Sequence, residues 1–140
     1  MPLSDAEIKK LLSEIKTIAI IGAKDKEGQP VDRVGRYLMA QGYTLIPIHP
    51  VRQNVWGLTT YQTVNDLPEG PVVDAVVLFR ASEYCAAHAR EVLRMMPLPK
   101  FFWMPEGIFC PESVKLMDDA GMPALPNVSI KIEHHPLWAG

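Results

Sequence analysis

The spacing of apolar positions changes several times along the chain, and the changes predict its elements. Thr17–Ile21 (TIAII) is a short, β-branched, nearly all-apolar run, as expected of a strand covered on both faces in a parallel sheet. Similar runs at Tyr43–Ile48, Val72–Phe79 and Phe101–Met104 predict three more strands, and Pro123–Leu125 predicts a short fifth. Between them the apolar period is helical. Ile8, Leu11, Leu12 and Ile15 form one stripe, and Ser4 with Glu7 makes a capping box, so a helix is expected over Ser4–Ile15. Val31, Val34, Leu38 and Met39 form another over Val31–Gln41, with Asp32, Arg33 and Arg36 largely off that face. Pro30 suits its first turn and Gly42 its end. A third helix is expected from a Ser82 cap to about Met96, a fourth over Pro111–Ala120 closed by Gly121, and a helical turn around Thr63–Leu67. Strand and helix alternate, which specifies an α/β fold: an open parallel sheet of about five strands with helices on both faces.

Composition narrows this to a single domain, 1–140, because 140 residues cannot hold two nucleotide-binding halves. With 48% hydrophobic and 21% charged residues the chain is globular. A formal charge of −2 gives no net basic face for nucleic acid or an anionic membrane. No apolar run approaches the roughly 20 residues of a membrane span, and MPLSDAEIKK lacks the apolar core of a signal peptide, so a cytoplasmic protein is expected. Cys85 and Cys110 have no metal-ligand spacing and are expected to be free thiols. His134-His135 after Glu133 has no third ligand at a suitable spacing, and adjacent residues of extended chain point opposite ways, so no metal is expected.

Candidate chemistry follows from the topology, since ligands of open α/β sheets bind across the carboxyl ends of the strands. The residues there are Gly22-Ala23-Lys24, His49-Pro50, Arg80 and Pro105-Glu106-Gly107. Gly22 ends the first strand where a sharp turn and close ligand approach both call for a residue without Cβ. Backbone amides beside it and at the next helix N-terminus are expected to face an anion, with Lys24 and Arg33 as the nearby cations; Lys26 and Arg36 read as solvated. A dinucleotide fingerprint would add G-x-G-x-x-G and an acidic residue ending the second strand. Here Gly22, Gly28 and Gly35 are spaced more widely, and the second strand ends in His49, Pro50 and then Arg52. A cation accepts the ribose phosphate that a carboxylate would repel, so an adenosine bearing a 2′- or 3′-phosphate fits better than NAD. NADP needs a second half or substrate domain to present its nicotinamide, whereas coenzyme A needs an adenosine pocket, a diphosphate loop and a channel. Length therefore favours coenzyme A.

IAIIGAKD, RVGRYLMAQGYTLIPIHP, VVDAVVLFRASE, FFWMPEGI and the terminal IKIEH together resemble the small single-domain CoA-binding proteins, themselves similar to the N-terminal CoA-binding domain of the succinyl-CoA synthetase α-subunit. The resemblance implies a Rossmann-like fold that binds coenzyme A or an acyl-CoA. It puts the diphosphate at Gly22, Ala23 and Lys24 with Arg33 near it, and the adenine beside Pro47, Ile48, His49 and Pro50. The ribose phosphate falls near Arg52, and Phe79 and Arg80 line the channel. Two positions depart from the family: Glu106 stands where an uncharged amide is commoner, and Leu125–Ser129 lacks a cysteine often found there. No Ser/His/Asp or Cys/His order suggests catalysis, so a binding, carrier or regulatory module is expected, with a homodimer or an acyl-CoA enzyme left open as partner. Two competitors remain: an NADP-binding protein or oxidoreductase component, and an enzyme acting on acyl-CoA with Glu106 or a histidine as base. Arg80 is weighed against an ion pair with Glu83, and Phe101, Phe102 and Trp103 are read as sheet core.

Overall fold

A computed structural model describes residues 5–125 apart from 69, 71, 106, 107 and 109. The Ser4 cap, Glu106, Gly107, His134-His135 and the IKIEH segment lie outside the described residues. The chain runs α1 (Asp5–Ser13), β1 (Thr17–Ile21), α2 (Pro30–Ala40), β2 (Thr44–Ile48), β3 (Ala75–Leu78), α3 (Ser82–Val92), β4 (Phe101–Trp103), α4 (Pro111–Asp119) and β5 (Ala124–Leu125). Every pairing is parallel and the order is β2-β1-β3-β4-β5. Four strands of three to five residues make the body of the sheet. The fifth is reduced to two residues on β4, so the sheet is four full strands and a stub.

The two faces alternate along each strand as the pleat requires. Ile18, Ile20, Ala75, Val77, Phe101 and Trp103 face one core, closed by Leu12 of α1 and by Val31, Val34 and Leu38 of α2. Ala19, Ile21, Val76, Leu78 and Phe102 face the other, closed by Ala89 and Val92 of α3 and Met117 of α4. All of these strand residues are almost wholly buried. That explains why β1 and β3 read as continuous apolar runs rather than alternating ones. Each fully buried Ile or Leu contributes about 1.5–3 kcal/mol. Pro47 is accommodated because β2 is an edge strand, where a missing N–H costs no ladder bond.

Most element ends shift by a residue or two from the sequence expectation, and three of the differences have a visible cause. Ser82 is the first residue of α3 rather than its cap; Ala81 holds that position and no side chain closes it. The helix ends at Val92 instead of near Met96, ahead of Pro97 and Pro99, which cannot continue it. β3 begins at Ala75, because Asp74 turns its carboxylate back to the amides of Lys16 and Thr17. Asp32, expected off the packed face of α2, is buried, for a reason that belongs to the site.

Candidate ligand site at the carboxyl edge of the sheet

The strand order reverses direction between β1 and β3, and the crevice outside their carboxyl ends is where open α/β sheets bind ligands. Gly22 stands at that point with φ +83°, and a Cβ there would lie 2.2 Å from the Phe79 carbonyl oxygen at the end of β3. Its lack of a side chain is therefore required twice, by the backbone conformation and by the neighbouring strand. The amides of Gly22 and Ala23 both donate to the Ile48 carbonyl, at 2.9 and 3.1 Å. Those two N–H groups tie β1 to β2 and are not directed at a ligand, contrary to the expectation of a backbone cradle at this spot. Among the described residues, the amides of Lys24, Asp25 and Lys26 bond to no acceptor.

The N-terminus of α2 also offers fewer donors than expected. Pro30 has no N–H, and the amides of Asp32 and Arg33 donate to the Gln29 carbonyl. The buried Asp32 carboxylate already occupies the first turn. It accepts from Arg36 Nε at 3.0 and 3.1 Å and from the Trp56 indole Nε1 at 2.9 Å. Trp56 itself sits at φ 53°, and its ring fills the space where a Gly35 Cβ would be. Arg36, expected to be solvated, thus belongs to a clamp that docks the loop after β2 onto α2. Only the glycine of RVGR and the Trp56-Gly57 pair signal this clamp in the sequence. The three widely spaced glycines therefore have separate duties: Gly22 for strand approach, Gly28 for a turn at φ +88°, and Gly35 as the seat of an indole.

What converges at this edge is side-chain charge. His49 follows β2 half-exposed, its Nδ1 accepting from the amides of Val51 at 3.1 Å and Arg52 at 2.9 Å. Nδ1 is an acceptor, so Nε2 carries the proton and remains a donor. Burial, and then the positive charges of Arg52, Lys24 and Arg80, hold its pKa below the ordinary histidine value. Lys24, Arg52 and Arg80, which come from three separate stretches of chain, thus all lie close enough to act on the charge of one imidazole. Arg80 does not pair with Glu83; its guanidinium lies 4.4 Å over the Tyr84 ring, and Phe79 packs half-buried beneath the crevice. Arg52 approaches the Asp25 carboxylate only at 3.8 Å, while Lys24 and Arg33 make no ion pair among the described residues. Pro47 and Ile48 are buried, and Pro50 is exposed beyond them. Of the expected site residues, Gly22, Lys24, His49, Arg52 and Arg80 are the ones the structure gathers; Arg33 is exposed on α2.

A concavity of about 410 Å³ opens at the opposite, amino edge, lined by Val64, Leu67, Val73, Arg94 and Met95 among others. It holds a single cation and no cluster of charge, so its size does not outweigh the chemistry at the carboxyl edge. No group of three or more metal-ligating side chains occurs among the described residues, and no helix among them is long and apolar enough to cross a membrane.

Comparisons with known proteins bear on the fold and the family. The chain is 29% identical over 132 residues to the YneT protein of Bacillus subtilis (strain 168), covering 94% of each chain. The structure of the cell-free ID.343 protein of Thermus thermophilus superposes with a TM-score of 0.85 at 34% identity, over 96% of this chain and 99% of that one. A protein of Pyrococcus horikoshii OT3 superposes with a TM-score of 0.88 at 27% identity, over 98% and 96%. The sequence model of the CoA binding domain matches residues 16–135, from the lysine before β1 to beyond β5, and the chain therefore belongs to the CoA-binding domain family.

Proposed function

We propose that this protein binds coenzyme A or an acyl-CoA along the carboxyl edge of the sheet and works as a carrier or regulatory module without chemistry of its own. The observation that carries the reading is the convergence of Lys24, Arg52 and Arg80 on His49 beside the glycine at the switch point. Three cations with little anionic company repel one another, and a polyanionic ligand relieves that repulsion. In this reading Lys24 and Arg33 meet the diphosphate, helped by the amides that follow Ala23. The adenine lies against Pro47, Ile48 and Pro50, with the Nε2–H of His49 as donor. Arg52 takes the ribose phosphate, and the pantetheine arm leaves past Phe79 and Arg80.

Isothermal calorimetry with three ligands tests it. Coenzyme A should bind at least about tenfold more tightly than dephospho-CoA, one charge-assisted contact being worth about that much. NADPH should bind weakly or not at all. Equal affinity for coenzyme A and its dephospho form removes the role given to Arg52, and absence of binding by any of the three removes the reading altogether. Acyl-CoA thioesters incubated with the protein should release no thiol; release would reinstate an enzyme.

A further inference from the structure

Away from the cation cluster, two thiols that the proposed ligand site does not use meet over one hydroxyl. Cys85, in the first turns of α3, is fully buried, and Cys110, the residue immediately before α4, is partly exposed. The hydroxyl of Ser113, itself fully buried, stands 3.2 Å from each sulfur and so joins the two thiols through one side chain. The contacts separate their roles. Cys85 directs its S–H at Met104 Sδ, 3.4 Å away, in an apolar surround, and burial pushes its thiol up to about 11. Burial pushes the Cys110 thiol up as well. The Ser113 hydroxyl, the amides of Ser113 and Glu112 at the start of α4, and the neighbouring sulfur together bring it below the ordinary cysteine value. A partly exposed sulfur whose thiol ionises more readily than usual, sharing a hydroxyl with a fully buried sulfur held as thiol, is the asymmetry of an attacking and a resolving pair. No third metal-ligating group joins them among the described residues, so the pair does not read as a metal site.

We propose that Cys110 and Cys85 form a thiol–disulfide exchange pair, with Cys110 attacking a low-molecular-weight disulfide and Cys85 resolving the product. In the first step the Cys110 thiolate attacks one sulfur of RS–SR. A Cys110–SR bond forms, the S–S bond of the reagent breaks, and RS⁻ leaves to take a proton from solvent. In the second, Cys85 gives up its proton and its sulfur attacks Sγ of Cys110. The Cys85–Cys110 bond forms and the second RS⁻ departs, so the protein dithiol is oxidised as one disulfide is reduced to two thiols. The bond would join the beginnings of α3 and α4, both at the carboxyl edge. The inference does not depend on what binds there.

Oxidised glutathione is the probe, added to the folded protein before acid quenching, with intact-mass and peptide mapping under non-reducing conditions. The wild type should end with the internal disulfide and no retained glutathione. Cys85→Ala should retain one glutathione on Cys110, and Cys110→Ala should take up none. A second measurement needs no variant: in the native wild type, iodoacetamide should modify Cys110 at least about tenfold faster than Cys85. A wild type that stays reduced, that keeps glutathione without closing the internal bond, that reacts first at Cys85, or that alkylates both thiols at equal rates overturns the proposal.

Discussion

The two edges of the sheet use charge in opposite ways. At the amino edge charge is put to work inside the fold: the Asp74 carboxylate accepts the amides of Lys16 at 2.8 Å and Thr17 at 3.0 Å, and Lys100 Nζ reaches the Glu14 carbonyl at 3.1 Å. The backbone completes the closure there, with the Thr44 amide on the Lys16 carbonyl and the Asp74 amide on that of Thr17. At the carboxyl edge Lys24, Arg52 and Arg80 act together on an imidazole whose acceptor is already occupied, and among the described residues Arg52 meets a carboxylate, that of Asp25, only at 3.8 Å. Charges satisfied within the fold hold strands in place. Charges left facing outward at the switch point oppose compactness slightly and are retained where a ligand compensates them.

The largest expected effect breaks the geometry on which the contrast rests. Gly22→Ala sets a Cβ 2.2 Å from the Phe79 carbonyl at a left-handed φ, so the ends of β1 and β3 must part. Thermal or urea unfolding should show a loss of at least about 3 kcal/mol, with coenzyme A binding abolished. A variant as stable as the wild type would show that the crevice is wider than the structure has it. Next comes Asp74→Ala, which leaves two backbone amides of the amino edge without their acceptor and should cost about 2 kcal/mol. Coenzyme A affinity should stay unchanged. A loss of affinity there would mean that the two edges are not independent.

The contrast also marks what could be read from the sequence. Thr17–Ile21 was legible as a doubly covered strand because parallel pairing forces its apolar run, and Pro30 and Gly42 punctuated α2 by simple steric rules. Lys24, His49 and Arg80 were legible because topology alone puts the residues after β1, β2 and β3 at one edge. The acceptor of the Gly22 and Ala23 amides could not be assigned, since that acceptor, the Ile48 carbonyl, is set by how far β2 runs past β1. Asp32 was misread for a similar reason: its burial depends on Trp56, which arrives from a loop whose path has no periodic signal. The fifth strand shrank to two residues because its pairing depends on β4, itself of only three.

Substitutions at the cations sharpen the functional half. Arg80→Ala should weaken coenzyme A and dephospho-CoA alike by about tenfold, whereas Arg52→Ala should weaken coenzyme A about tenfold and leave dephospho-CoA nearly unchanged. Stability should hardly move in either, since neither guanidinium makes a close ion pair among the described residues. If both variants bind coenzyme A as the wild type does, the site lies elsewhere. Asp25→Asn removes the carboxylate that pairs with Arg52 among the described residues, and calorimetry should find coenzyme A held about two- to fourfold more tightly. Weaker binding instead would make Asp25 a ligand contact.

The smallest effect is the pH dependence of His49, and it has a definite sign. Burial and then Arg52, Lys24 and Arg80 depress its pKa in the fold, so between that depressed value and about 6.5 the unfolded chain binds more protons than the folded one. The stability associated with a neutral His49 is complete above about pH 6.5 and is lost as pH falls through the folded pKa. Protonation would also cost Nδ1 the amides of Val51 and Arg52, loosening the turn that sets Arg52. His49→Asn keeps a short acceptor for those amides without titrating. The urea stability of the wild type should therefore fall relative to His49→Asn between about pH 7.5 and about pH 5.5. Because burial is the largest single cause and salt does not screen it, added salt should erase only part of the difference. A difference that stays flat across this window, or that vanishes in salt, would show that the three cations and the protein interior do not act on this imidazole together.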